Sequence, residues 1–404
     1  MKKGLLISIC FSVALLQSCS QSNKETQWRG DKRNGVYSNE TGLLKQWPEE
    51  GPKLLWSYEE LGAGHSSVAI ANDKIYITGM IDSTGYLHVF DLQGNLLAKK
   101  AYGLEWSANF VGSRSTVTVN DGKLYFLSGR AVLFCVDENT LETVWSKDYL
   151  TDFDGSNLKF GIAESPLVVG ELVYATPGGK VNNFVALNKN TGDLVWSSPG
   201  VGKLSTYCSP LYISELEIPI VVNAIDSVLV GFNAQTGEML WAVEQKNSRF
   251  HNPNTPLYES GFLFGSAGGG FGSIKVRLTN GGRGIDSLWR NEMDNKMGGF
   301  VKVGDYVYGS GEKNRFWYCI DWNSGETVYK SDKLGAGNII SADGMLYCYS
   351  DKGELALVKA SPKDFEITGK LKVTLGTEQH WAHPVIHNKT LYVRHGNALM
   401  AYKI

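Results

Sequence analysis

The chain has 404 residues, with 39 Lys and Arg against 41 Asp and Glu and a formal net charge of −2. That balance offers no basic surface for nucleic acid and no acidic tail. With 46 glycines, 11% aromatic residues and no long run of helix-favouring residues, the composition points to short strands closed by Gly-marked turns, an all-β protein.

The first elements in chain order lie outside any fold. Lys2 and Lys3 precede an apolar stretch from Gly4 to Leu16 that is too short to stay in a membrane as a spanning helix. The stretch ends in "LLQSC". It resembles a bacterial lipoprotein signal, with Leu16 at −3, Ser18 at −1 and Cys19 as the residue that carries diacylglycerol after cleavage. An ordinary signal peptide with an incidental Cys is the alternative. The resemblance implies that residues 1–18 are removed. It places the protein in the bacterial cell envelope, touching the membrane through its lipid alone. Ser20 after the Cys does not suggest inner-membrane retention, so the outer membrane is expected, with the periplasmic side as the expected face and the leaflet left open. Residues 19–51 then form a tether and N-terminal arm, and 52–404 the folded domain.

From residue 52 onward one pattern recurs. "FCVDENTLETVW" ends at Trp145, "VALNKNTGDLVW" at Trp196, "VGFNAQTGEMLW" at Trp241 and "RLTNGGRGIDSLW" at Trp289, while "YCIDWNSGETVY" puts Tyr329 in the Trp place. Before each hairpin stands another strand pair, such as "STVTVNDGKLYFLSG", turning on Asn, Asp or Gly residues that tolerate positive φ. A period of roughly 40–50 residues made of short strands reads as one propeller blade per unit. Inner strands are expected to start near Ser66, Ser115, Ser165, Ser209, Thr255, Gly299, Gly337 and His383, which makes eight four-stranded antiparallel blades. The last unit has three strands before the chain ends. "PKLLWSYEEL" supplies the fourth, with Trp56 in the Trp place, so no open sheet edge remains. Trp56, Trp145, Trp196, Trp241, Trp289 and Tyr329 are read as wedges between blades, and the Gly of "TGDLVW" as the residue that permits the turn. "FDLQGNLLAKK" and "ASPKDFEITGK" lack the Trp.

Cys135, Cys208, Cys319 and Cys348 each sit singly in an apolar strand-like run, without the paired spacing of a metal site. They read as small buried hydrophobes, with a disulfide between two of them left open.

At "NTGDLVW", "QTGEMLW" and "NSGETVY" the chain resembles the PQQ-type repeat, which builds the quinoprotein alcohol dehydrogenases and the outer-membrane assembly lipoprotein BamB. The resemblance runs from Trp28 to the end. It implies an eight-bladed propeller but does not carry a function. In the dehydrogenases PQQ lies under a ring made by two adjacent Cys, and Ca²⁺ is held by a Glu, an Asn and an Asp. This sequence has no Cys-Cys pair, no fragment matching those ligands and no CxxCH haem motif. No cofactor is therefore expected, and PQQ with Ca²⁺ belongs to the enzymatic alternative.

A propeller's funnel is lined at one end by the residues just before each inner strand. These are His65, Arg114, Glu164, Cys208, Asn254, Gly298, Ala336 and Ala382, with His383 next along. His383, His65, Arg114 and Glu164 come from neighbouring blades and are expected to face one another. One reading makes them an anion or carbohydrate site, with Arg114 as fork donor, Glu164 as acceptor or base and the His pair as acid, base or donors. The other makes them a structural ring with Arg114 paired to Glu164. A metal is not expected, because the ligands would come from four loops with no spacing signature. Trp106, Phe110, Tyr207, Arg249, His251 and Trp381 are expected at the rim, where exposed aromatics stack on sugars or anchor proteins. The functional expectation is a non-catalytic envelope binding or scaffold protein, its partner an envelope protein, a glycan or a small ligand, and no nucleic acid. The alternative is a divergent PQQ-dependent alcohol or sugar dehydrogenase, or a carbohydrate-active propeller.

Overall fold

The computed structural model describes residues 26–156, 159–202, 204–246 and 253–404. Cys19, the expected signal segment, Arg249 and His251 lie outside the described residues. Seven sequence units each form one four-stranded antiparallel sheet with strands in chain order, across residues 69–104, 118–148, 167–198, 211–244, 257–291, 300–331 and 337–372. In the eighth sheet Val385–His387, Thr390–His395 and Ala398–Lys403 are completed by Lys53–Tyr58, with Trp56 opposite Ala401. The fold is an all-β, eight-bladed propeller closed by its N-terminal strand. Inner strands begin at Ala69, Thr118, Leu167, Leu211, Leu257, Phe300, Gly337 and Val385, at or a few residues after the expected starts. Helix among the described residues is one turn at Tyr149–Asp152 and a 3-10 turn at Asn280–Gly282.

The hydrophobic core is not one mass. Its clusters lie between adjacent blades: Tyr125, Leu133 and Cys135 of blade two pack on Val173, Ala175 and Val185 of blade three. Full burial of such a side chain contributes about 1.5–3 kcal/mol, so a blade gains its stability from its neighbours. Cys135, Cys319 and Cys348 lie on strands and Cys208 just ahead of Leu211–Ile213, and all four are buried free thiols.

The repeat's Trp and Gly act as a pair across this interface. Trp145 sends its indole Nε1–H to the Lys189 carbonyl of blade three at 2.9 Å. A Cβ on Gly192, in the same turn, would stand 2.8 Å from the indole. Trp56, Trp196 and Trp241 likewise donate to Leu92, Ala234 and Gly282 of the following blade, at 3.0–3.1 Å. The turn Gly therefore supplies a positive φ, 73° at Gly192, and also a seat for the preceding blade's ring. Trp289 sits on Gly325 in the same way, but its Nε1 and the Tyr329 hydroxyl have no hydrogen-bond partner among the described residues. Blade one, which lacks the Trp, sets Tyr102 against Phe126 of blade two at 4.9 Å. Blade seven receives Trp47 from the N-terminal segment, packed beside Gly369 and Tyr347.

That segment is part of the fold. Thr26 exchanges backbone hydrogen bonds with Val119 on the inner strand of blade two, and Val36 bridges Ser341 on that of blade seven. Between these points the chain crosses the centre of the ring and carries Trp28, Arg29 and Arg33 into it.

Candidate functional site

Small hydroxyls tie the inner strands together at one end of the channel. Ser209 Oγ accepts from the Ser165 N–H at 2.9 Å, Ser165 Oγ from Thr116 N–H at 3.0 Å, and Thr116 Oγ1 from Ser67 N–H at 3.0 Å. Ser67 Oγ then donates to the His383 carbonyl at 2.8 Å. Each link joins two blades, which explains why Ser or Thr recurs at the strand starts.

Two buried arginines fill the centre beneath this ring. Arg29 donates to the carbonyls of Asn34, Phe300 and Ile339 at 2.8–3.1 Å and to His383 Nδ1 at 2.8 Å. Arg33 donates to the carbonyls of Ser165, Pro166 and Pro210 and to Gln27 Oε1. Burial lowers both guanidinium pKa values to about 10, so both stay charged at neutral pH. A guanidinium has no acceptor capacity, so His383 Nδ1 must be the acceptor. Its proton therefore sits on Nε2, 3.1 Å from the Met297 carbonyl.

Above this floor lies a cavity of about 310 Å³. Trp28 and His383 form its base, their rings edge to face at 5.3 Å. Its wall is an arc of rings: Trp381 to Phe110 at 4.9 Å, Phe110 to Phe160 at 5.7 Å, and Phe160 to Tyr207 at 6.2 Å. His65 packs against Trp381 at 5.1 Å. Arg114 and Lys296 carry the wall's charge, and no carboxylate lines it among the described residues.

The expected funnel residues divide. His65, Arg114 and His383 come together on the wall with Tyr207 and Trp381. Glu164 does not join them. It is 2% exposed and turned into the protein, where Oε2 accepts from Thr176 N–H at 3.1 Å and Oε1 has no partner among the described residues. Burial pushes its pKa up to about 8, partly offset by Arg33. The expected pairing of Arg114 with Glu164 is therefore corrected. Arg114 donates to the carbonyls of Asn109, Phe110 and Gly112, clamping its own loop, and the carboxylate whose charge it feels is Glu105. Trp106 backs that guanidinium, its ring centre 5.9 Å away, and does not line the cavity. Nor is the His pair poised for acid–base work. Burial drives His383 well below its ordinary pKa, and burial with the Arg114 and Arg394 charges takes His65 down to about 3.

Trp28, Phe160, Lys296 and Met297 also line the cavity, and none was singled out from the sequence. One signal was available for Phe160: it stands four residues before Glu164, as Phe110, expected at the rim and found on the wall, stands four before Arg114. Trp28 belongs to a segment outside the repeat. Among the described residues no three His, Cys, Asp or Glu gather to hold a metal ion, and no helix is long and apolar enough to cross a membrane.

A family model described as outer membrane protein assembly factor BamB matches residues 83–331. The chain belongs to the BamB-type PQQ-propeller family. BamB of Shewanella oneidensis is 27% identical over 223 residues, 50% of this chain and 52% of that protein, so the chain spans about half the length of the curated relative it matches. Among solved structures, BamB from Moraxella catarrhalis superposes with a TM-score of 0.64 at 14% identity, over 87% of this chain and 97% of that one. Quinohemoprotein alcohol dehydrogenase from Comamonas testosteroni does so at 0.69 and 11% identity, over 94% of this chain and 80% of that one. At these identities the superpositions establish the propeller alone, common to BamB and to the dehydrogenases.

Proposed function

We propose that this BamB-type propeller is a non-catalytic binding and assembly protein of the bacterial envelope. It is held at the periplasmic side of the outer membrane by lipid on Cys19 and takes its partner or ligand on the aromatic pocket. Membership in a family described as an outer membrane protein assembly factor supports the setting. The observation that carries the non-catalytic reading is the state of the pocket's polar groups. Arg114 gives three of its five N–H donors to carbonyls, Lys296 is held by Glu312 at 2.6 Å, His383 has both ring nitrogens engaged, and both His side chains are neutral. A general acid or base needs a pKa near the working pH and a proton it can move, and this wall offers neither.

A divergent PQQ-dependent dehydrogenase is the second reading, and the donor set does not fit it. Ca²⁺ requires several oxygen ligands, yet the lining supplies no carboxylate among the described residues.

The test is a photo-crosslinking side chain placed at Leu104, 61% exposed at the end of blade one's outer strand beside the 105–113 loop. A matched position is Asp193, in a turn at the other end of the blades. In native envelopes a discrete adduct is expected from Leu104 and not from Asp193. Adducts from Asp193 alone would move the binding face to the opposite end.

A further inference from the structure

Resting on the reading of the pocket as a binding site, we propose that its occupant is an uncharged aromatic group of one or two rings, carrying at most one polar substituent. The arc from Trp381 through Phe110 and Phe160 to Tyr207, with Trp28 below, offers tilted faces and edges on several sides of one cavity of about 310 Å³. Aromatic pairs prefer offset or edge-to-face packing and contribute about 0.5–1.5 kcal/mol each beyond the area they bury. That volume is at the small end of ligand pockets, which suits a compact ring system.

The polar groups exclude the competing classes. A cage of rings alone would also suit a quaternary ammonium. Here the charged lining residues are the cations Arg114 and Lys296, and the carboxylate that Lys296 meets, Glu312, is not among the described lining residues, so the wall offers a cation no carboxylate. An anion is disfavoured, because Arg114 already gives both Nη2 N–H groups and one of Nη1 to the carbonyls of Asn109, Phe110 and Gly112, and Lys296 is already paired with Glu312. It would lose water and compete with Glu312 for Lys296. A sugar needs many partners at once, and each hydroxyl left unmet costs about 1–3 kcal/mol; His383 has neither nitrogen to spare. His65 does not change this: among the described residues its ring nitrogens close no hydrogen bond of ordinary geometry, and both are buried out of reach of the cavity, so the guest is held by its rings.

The ring can belong to a free molecule or to an aromatic side chain on an envelope protein, and the experiment separates the two. The full-length protein is titrated calorimetrically with 2-naphthol, 2-naphthoate, 2-naphthylmethylammonium and maltose. Naphthol is expected to bind at least tenfold more tightly than either charged analogue, with no heat from maltose. Phe110→Ala is expected to weaken naphthol at least tenfold; Phe110 is already 42% exposed, so the fold tolerates its loss. Trp381→Leu is the second variant. If naphthol suppresses the Leu104 adduct, the natural ring is a partner's side chain; if naphthol binds and the adduct persists, it is a free molecule. Equal binding of a charged analogue, binding of maltose in place of naphthol, or no binding by any probe overturns the proposal. An adduct that forms when no probe binds overturns only the aromatic occupant, whereas loss of both removes the binding-face reading as well.

Discussion

Arg29 Nη1 donates to His383 Nδ1 at 2.8 Å, and this contact joins the N-terminal segment to blade eight at the floor of the pocket. The same guanidinium reaches the carbonyls of Phe300 in blade six and Ile339 in blade seven. One side chain thus solvates acceptors from three blades, with no carboxylate hydrogen-bonded to it among the described residues.

Arg29→Met should leave those carbonyls without a donor. Each buried unsatisfied group costs about 1–3 kcal/mol, so a loss of about 3 kcal/mol is expected, read as a fall of several degrees in Tm. Arg29→Lys should recover little, because one ammonium lacks the planar fork that reaches separate carbonyls. Full recovery by Lys would mean that charge, not geometry, is what the site needs.

Gly192→Ala and Gly344→Ala separate strain from crowding. Both glycines have φ of 73°. A Cβ at Gly344 meets nothing within 4 Å, whereas at Gly192 it meets the Trp145 indole at 2.8 Å. Gly344→Ala should cost about 1 kcal/mol, the backbone price of a positive φ. Gly192→Ala should cost about 2–3 kcal/mol, adding the overpacking term. Chemical denaturation measures both, and equal losses would remove the seat from the account of the repeat.

Glu164 gives a pH signature. Its folded pKa is raised from 4.5 to about 8, so the native state holds a proton that the unfolded chain releases. The associated stability is present in full below pH 4.5 and drains away as pH rises to about 8. Glu164→Gln keeps the shape and removes the titration. Its stability relative to wild type should climb through that window, by at most about 1.4 kcal/mol per pH unit. A difference that stays flat from pH 5 to 9 would show that Glu164 is ionised in the fold.

Arg114→Ala tests the clamp on the 105–113 loop. With three carbonyls released, amide exchange across 106–112 should quicken at least tenfold while global Tm moves by only a few degrees, since the loop lies outside the inter-blade clusters. A large fall in Tm with unchanged loop exchange would make Arg114 a core residue instead.

The blades were legible because their periodicity is physical. "NTGDLVW" brings a turn that needs positive φ and a ring that needs a seat, and both needs recur with each blade. Closure was legible through Trp56, which repeats the pattern out of place. The wall was partly legible: His65, Arg114 and His383 were found by position before the inner strands, with Tyr207 and Trp381 expected at the rim. Position does not decide which way a side chain turns, and Glu164 turned toward Thr176 while its neighbours faced the cavity. The floor was not legible. Arg29 and Arg33 are satisfied by backbone carbonyls, which every residue possesses, so no partner side chain announces them. The N-terminal segment carries no copy of the repeat to align against.

The crossing of the ring by residues 26–36 also sets where mechanical load travels. A pull on the chain ahead of Thr26 reaches the two hydrogen bonds to Val119 first, then the Arg29 and Arg33 anchors spread over five blades, then the bridge at Ser341. Only after these does it reach Lys53–Tyr58, the strand that closes the ring. The segment acts as a strain relief: traction on the N-terminal side is shared across the channel before it can peel the seam between the first and last strands.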